Sequence, residues 1–233
     1  MQAGPESPSI PFEEAMRIAS LTLIGFGLTT CVAVPGTSQI CAGSSSFARS
    51  PYLVSGGAGV SRHSHGFGAG LTLGSPSKFF GVGIGRTHFD VLNGSSFDVS
   101  AGAGLELLLD HRGALQLCPI VSVGHSAGPD HTAYGDYSET DVAAGLRLGH
   151  AATRSQKARF IPTVGIGLEH ATQSFSSRGP IIATAAHTFG VLTLGGGVVF
   201  GNTTTFSAKA SVPIGLHNGS AAFSLGLAVN LGG

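Results

Sequence analysis

The chain of 233 residues has no tryptophan, only two methionines and three cysteines, and just 10% charged residues. Soluble domains of ordinary composition carry roughly 25% charge, so a water-facing surface built from this chain would be unusually bare. Lys plus Arg and Asp plus Glu stand at 12 each, a formal balance of zero. A nucleic-acid binder needs clustered Lys and Arg against phosphate, and nucleic acid is therefore excluded as a partner. Three cysteines do not make a disulfide scaffold. A bridge between Cys41 and Cys118 is open to the chain in an oxidising compartment, although their spacing does not prescribe it. Sustained helical periodicity is missing as well. The length allows one domain, or two small ones.

Glycine is what the chain has in excess. Its 37 glycines exceed twice the usual share of roughly 7%. They are scattered among Val, Leu, Ala and Phe with no third-residue repeat, which excludes collagen. Apolar residues reach 42% without net charge, a composition that does not suit disorder.

One uncharged run, IASLTLIGFGLTTCVAV at residues 18–34, directly follows Met16-Arg17. It reads as a secretory leader, with Met16 and Arg17 as the n-region, Ile18 to Leu28 as the apolar h-region, and cleavage after Ala33 or Ala42. The expected organisation is an upstream extension at 1–15, a signal peptide and cleavage region at 16–42, a short tether at 43–50, and one domain at 51–233. The rival readings of the run are a retained helix at the short edge of bilayer-spanning length and a lipoprotein box at Leu28 to Cys31.

From Pro51 onward the period is two. Phe223, Leu225, Leu227, Val229 and Leu231 alternate with Ser224, Gly226, Ala228 and Asn230, giving a strand with one wholly apolar face. Phe206 to Leu216 repeats the pattern, and His217-Asn218-Gly219 joins the two segments with a hairpin signal. Further strands are expected at about 52–60, 66–73, 79–89, 97–109, 114–125, 140–151, 159–171 and 187–200. Doubled apolar pairs at Val191-Leu192 and Val198-Val199 predict a bulge in the last of these.

The small-residue face decides the class. A sandwich core is filled by large side chains and its outer face is charged. Here the non-apolar face is Gly, Ser, Ala and Thr, with single charges at Glu106, Arg147, Glu169 and Lys209. Such a face fits the crowded interior of a narrow barrel, with those four residues pairing as a luminal network and the apolar face meeting lipid. The fold expected is all-β, a closed antiparallel transmembrane β-barrel of ten strands, with eight and twelve as alternatives. Link lengths point the same way. Short turns at 75–77, 110–113, 153–157 and 201–202 alternate with long links at 90–96, 127–139 and 173–186, as periplasmic turns alternate with external loops.

The Gly-rich repeats Gly81-Val82-Gly83-Ile84-Gly85, Ala101-Gly102-Ala103-Gly104-Leu105 and Thr163-Val164-Gly165-Ile166-Gly167-Leu168 resemble those of small bacterial outer-membrane β-barrel proteins, over residues 51–233. The resemblance implies an exported protein of the bacterial outer membrane, in contact with outer-membrane lipid and lipopolysaccharide and inserted by the barrel-assembly machinery. Members of that group commonly end in an aromatic residue, whereas this chain ends Asn230-Leu231-Gly232-Gly233, with Leu231 in the corresponding place.

Four functions remain open on the sequence. The leading one is a structural or surface-exposed barrel, with or without a narrow passive pore. The second is a surface ligand or adhesion module using loops 127–139 and 173–186. The third is a self-assembling Gly-rich surface or fibre protein with an extracellular location, since unclosed apolar strands stack edge to edge. The fourth is hydrolysis: Gly124-His125-Ser126-Ala127-Gly128 with Glu139 faintly resembles lipid A acyl hydrolases of barrel form, His125 being the base, Ser126 the nucleophile and Glu139 the orienter. Adjacent residues on a strand point to opposite faces, and a base must reach its nucleophile. No catalytic residue is therefore assigned. The ten histidines show no compact metal-ligand spacing. The Gly-x-Gly runs precede no helix, so neither metal nor cofactor is expected. His125, His150 and His170, with Tyr52 and Phe160, fall near strand ends, where amphipathic rings suit a membrane interface.

Overall fold

The computed structural model describes residues 51–75, 77–109, 115–130, 135–150, 158–176, 181–201, 203–216 and 219–231. The expected extension, leader and tether at 1–50 lie outside the described residues.

Among the described residues eleven strands follow one another: β1 (Tyr52–Val60), β2 (Ser64–Ser75), β3 (Lys78–Phe89), β4 (Gly94–Leu105), β5 (Leu107–Leu108), β6 (Leu115–Ala127), β7 (Asp136–His150), β8 (Ala158–Ser176), β9 (Ile181–Phe200), β10 (Thr204–Ile214) and β11 (Ala222–Leu231). Each pairs antiparallel with its neighbours, and two further contacts, β1 with β11 and β4 with β6, close the sheet on itself. β5 continues β4. The ladder lapses after Gly104↔Ile120 and resumes at Leu107↔Leu117, beside Pro119, which has no N–H to give. The wall therefore has ten long strands in a closed antiparallel barrel. Closure leaves no sheet edge to template stacking, and the fibre alternative loses its structural basis.

Alternation sets the two faces. On β8, Phe160, Val164, Ile166 and Leu168 are exposed on the outside, whereas Ile161, Gly165, Glu169, Ala171, Gln173 and Phe175 are buried inside. Every other long strand follows the same rule, for example Val82 and Ile84 out with Gly81 and Gly83 in on β3, and Val142 and Leu146 out with Glu139 and Asp141 in on β7. The apolar stretch of β8 runs from Phe160 to Leu168, beyond which the outward residues are His170, Thr172 and Ser174. Eight steps of about 3.3 Å at a tilt near 40° give a band about 20 Å tall before side chains are added, close to the roughly 25 Å of an outer-membrane barrel.

Two expectations about local structure are corrected. The links expected to be long are shorter than expected, four residues at 90–93, eight at 128–135 and four at 177–180, against three at 61–63 and seven at 215–221 at the same end. Most of the predicted loop 173–186, and the end of loop 127–139, is strand instead. β8 and β9 stay paired through Gln173↔Ala185 and Phe175↔Ala183, because their inner faces bury an aromatic cluster of Phe89, Tyr137 and Phe175, packed by Leu92 and Ala185. The bulge expected at Val191-Leu192 and Val198-Val199 is absent. Those pairs keep register with both neighbouring strands, and the single irregularity among the described pairings lies at Phe175/Ser176. Val191 and Val199 face inward and Leu192 and Val198 outward, so an apolar interior patch rather than a bulge explains the doubled residues.

Candidate functional site

The interior is layered. At the end carrying links 90–93, 128–135 and 177–180, the ring of Tyr137 lies 5.8 Å from that of Phe89 and 5.3 Å from that of Phe175. Beneath these rings lies a buried polar layer. The hydroxyls of Thr87 and Ser96 donate to the two oxygens of Asp98, at 2.7 and 2.6 Å. The hydroxyl of Tyr137 and the amide of Gln173 both donate to Oε2 of Glu139, the amide at 2.7 Å. These bonds hold carboxylates where a bare charge would be prohibitively costly.

Further along the axis, Arg147, Glu169 and Lys209 line one cavity of about 100 Å³ together with Asp141, Ser122 and Thr193. Three of the four residues expected to form a luminal network thus share a single space. The fourth, Glu106, is not on its walls. It stands in the break between β4 and β5, hydrogen-bonded to Gln116. Asp141, absent from the expected network, makes the cavity two cations against two anions. The signal for it was available, since Asp141 has the same strand parity as Arg147.

Glycine makes the room for these charges. Arg147 lies opposite Gly165, Lys209 opposite Gly195 and Asp141 opposite Gly124. A Cβ on Gly165 would stand 2.9 Å from Cγ of Arg147, and one on Gly195 would stand 2.7 Å from the Ala208 carbonyl oxygen. On one neighbouring strand of each of these three charged residues the wall is stripped to backbone, while the other presents Cys118, Ser224 or Ala171. A volume of about 100 Å³ is well below the roughly 300 Å³ at which pockets for organic ligands begin, so the cavity suits water and paired charge.

The hydrolase arrangement does not assemble. Ser126 is buried on the inner face across from Glu139, whereas His125 is on the outer face, its Nδ1 3.0 Å from Oγ1 of Thr140. Imidazole and hydroxyl point to opposite sides of the wall, and no register shift turns either of them. Among the described residues no three His, Cys, Asp or Glu side chains converge on a point that could hold a metal ion.

Outside, the apolar band is bordered at both ends. His125 and His170 sit just beyond it at one end, with Nδ1 of His170 2.7 Å from Oγ1 of Thr188. Tyr52, Phe160 and His150 lie on the outer face at the other end. Between the borders, a shallow outer groove of about 590 Å³ runs past Leu73, Phe80, Leu105, Pro119 and Val121.

No family model matches the chain, and no curated protein matches it. Among solved structures it is similar to the β domain of the Bordetella autotransporter BrkA, at 13% identity and a TM-score of 0.45, over 79% of this chain and 100% of that one. It is also similar to a bacterial polysaccharide outer-membrane secretin, at 11% identity and a TM-score of 0.44, over 72% of this chain but only 57% of that one. A third similar structure is LpxR from Salmonella typhimurium, at 9% identity and a TM-score of 0.39, over 77% of this chain and 100% of that one.

Proposed function

We propose that the chain is an exported structural barrel of the bacterial outer membrane, with a packed rather than conducting interior. One observation carries the reading: the molecule is inverted relative to a soluble protein. Its outward residues form a continuous apolar band, including Phe67, Ile84, Phe97, Val121, Ile166, Leu194 and Phe223, while Asp98, Glu139, Asp141, Glu169, Gln116 and Gln173 are buried inside. Apolar side chains in that number stay exposed only where lipid is the solvent. The partners that follow are outer-membrane lipid and lipopolysaccharide along the band, and the barrel-assembly machinery that would read Leu231 at the end of β11.

Packing argues against the passive-pore variant. The aromatic cluster closes one end of the lumen, and at the other Leu53 and Phe79 pack with Ile120 and Ala228. Membrane fractionation with gel mobility before and after boiling tests the barrel, and planar-bilayer recording tests the lumen. A heat-shifted species in outer membranes with no unitary conductance is expected. Recovery as a soluble protein would refute the membrane reading, and ohmic single-channel steps would refute the packed interior.

A surface-binding role is the second reading, favoured by the continuation of β7 and β8 past the band with Ser138, Thr140, Thr172 and Ser174 outward. Cell-surface adhesion that disappears when residues 173–186 are replaced by a two-residue turn would support it.

A further inference from the structure

The outer groove lies over a seam where the wall loses part of its ladder. β4 and β6 pair as far as Gly104↔Ile120, and the same register resumes at Leu107↔Leu117. Between these points Leu105 faces Pro119, which has no N–H to donate. Side chains are cut back along the same line. Outward Ala103 stands between Phe80 of β3 and Val121 of β6, and outward Ala101 stands between Val82 and Val123. The two alanines form the bed of a furrow and the bulkier residues its banks. On the inner side, Phe79 lies between Gly74 and Gly104 of the neighbouring strands, and its ring occupies the place a Cβ on Gly104 would need. Inward Phe79 and Ile120 therefore line the groove together with outward Leu73, Phe80, Leu105 and Pro119, and the groove reaches through the seam to the inner layer. Its volume of about 590 Å³ falls within the roughly 300–1,000 Å³ of small-molecule sites, which the charged internal cavity does not approach. Of the residues on its walls, Lys78 alone is charged. Lys78 starts β3, shares the outward parity of Phe80 and is paired with Leu105.

We propose that this groove binds one acyl chain of an anionic phospholipid, with Lys78 holding the phosphate at its mouth. The inference rests on the membrane reading of the barrel and assigns one lipid a fixed place on its wall. A site that is apolar along its length and cationic at one end is complementary to an amphiphile with an apolar tail and an anionic head. Lysine meets a phosphate as a point charge, without the two-pronged geometry of arginine. One furrow and one cation suit the single phosphate of a phospholipid. Lipopolysaccharide, which carries several phosphates, calls for several cations.

Vesicles of unlabelled phosphatidylcholine, holding a minor share of phosphatidylglycerol brominated in its chains, test the site through a single tryptophan. Val123→Trp puts the reporter on the outer face beside Ala101, at the far end of the furrow from Lys78, and Ile166→Trp puts it on the outer face of β8. Each signal is normalised to its own quenching in wholly brominated lipid. The brominated phosphatidylglycerol is expected to be enriched about fivefold at residue 123 over residue 166, the factor that one lysine supplies at an anionic lipid surface. Lys78→Gln should remove that enrichment. Ala103→Leu, which fills the furrow from an outward position, should bring residue 123 to the level of residue 166. Heat-shifted gel mobility confirms that each variant has formed its barrel. Equal enrichment at the two reporters would mean ordinary boundary lipid, and enrichment that survives either substitution would place the lipid elsewhere. A dimer that Ala103→Leu dissociates would assign the groove to a second copy. Each of these results would overturn the proposal. Absence of quenching at both reporters in wholly brominated lipid would instead refute the membrane reading itself, and the proposal with it.

Discussion

Replacing Val164 by arginine separates a lipid-facing wall from a water-facing one. Val164 is outward, 40% exposed, and central in the apolar stretch of β8 between Phe160 and Leu168. Thr172 is outward on the same strand, eight residues further on and past the band, about 20 Å along the barrel axis at a tilt near 40°. An arginine on the lipid face of such a barrel costs about 2–4 kcal/mol at the bilayer midplane and about 0–1 kcal/mol near an interface. Were the same face bathed in water, an exposed substitution would stay within about 0.5 kcal/mol at either position. Urea unfolding in lipid vesicles reads the difference. With a slope near 2 kcal/mol per molar urea, Val164→Arg should lower the midpoint by about 1–2 M, while Thr172→Arg should move it by no more than about 0.5 M. Equal, small shifts at the two positions would refute the claim that this face is buried in lipid.

The interior supplies the other predictions. Arg147→Leu, removing one of the two cations from a cavity that also holds Asp141 and Glu169, should destabilise by about 3–5 kcal/mol because it leaves buried negative charge uncompensated. Combining it with Glu169→Gln should recover part of that loss in the same unfolding assay. Gly195→Ala would set a Cβ 2.7 Å from a backbone carbonyl that cannot move aside, whereas a Cβ on outward Gly56 meets nothing closer than 3.6 Å. The first should cost about 1–3 kcal/mol and the second should leave the unfolding free energy within about 0.5 kcal/mol of wild type. Tyr137→Phe deletes the hydroxyl that donates to Glu139 and should cost about 1.5–3 kcal/mol, the range for hydrogen bonds to charged groups. An unchanged midpoint would mean that Gln173 alone satisfies that carboxylate.

The closed antiparallel barrel and its ten long strands were legible from residue 51 onward, with eight and twelve as alternatives and the facing of 79–89 and 187–200 left open, because a two-residue period with bulk on one face and Gly, Ser and Ala on the other leaves few foldings that satisfy both. Strand ends were less legible. Residues 173–176 and 181–186 read as part of a long link, yet they are held as strand by an aromatic cluster whose members, Phe89, Tyr137 and Phe175, come from three separate strands. No local window contains that contact. The doubled pairs in β9 misled for a related reason, since an inward valine is indistinguishable in sequence from an outward one. Of the charged residues singled out, Arg147, Glu169 and Lys209 share a cavity because their parities and axial positions agree, while Glu106 shares only the parity. The opposed faces of His125 and Ser126 follow from adjacency alone.

The absence of tryptophan from the chain makes one engineered tryptophan a background-free reporter. Ile166, 59% exposed on the outer face of β8, is the position of choice. In vesicles, Ile166→Trp should emit at the short wavelength of an apolar environment and be strongly quenched when the lipid chains carry bromine, with little response to a quencher confined to water. Emission at the wavelength of hydrated indole, quenched from the aqueous side and indifferent to brominated lipid, would contradict a wall that faces the membrane.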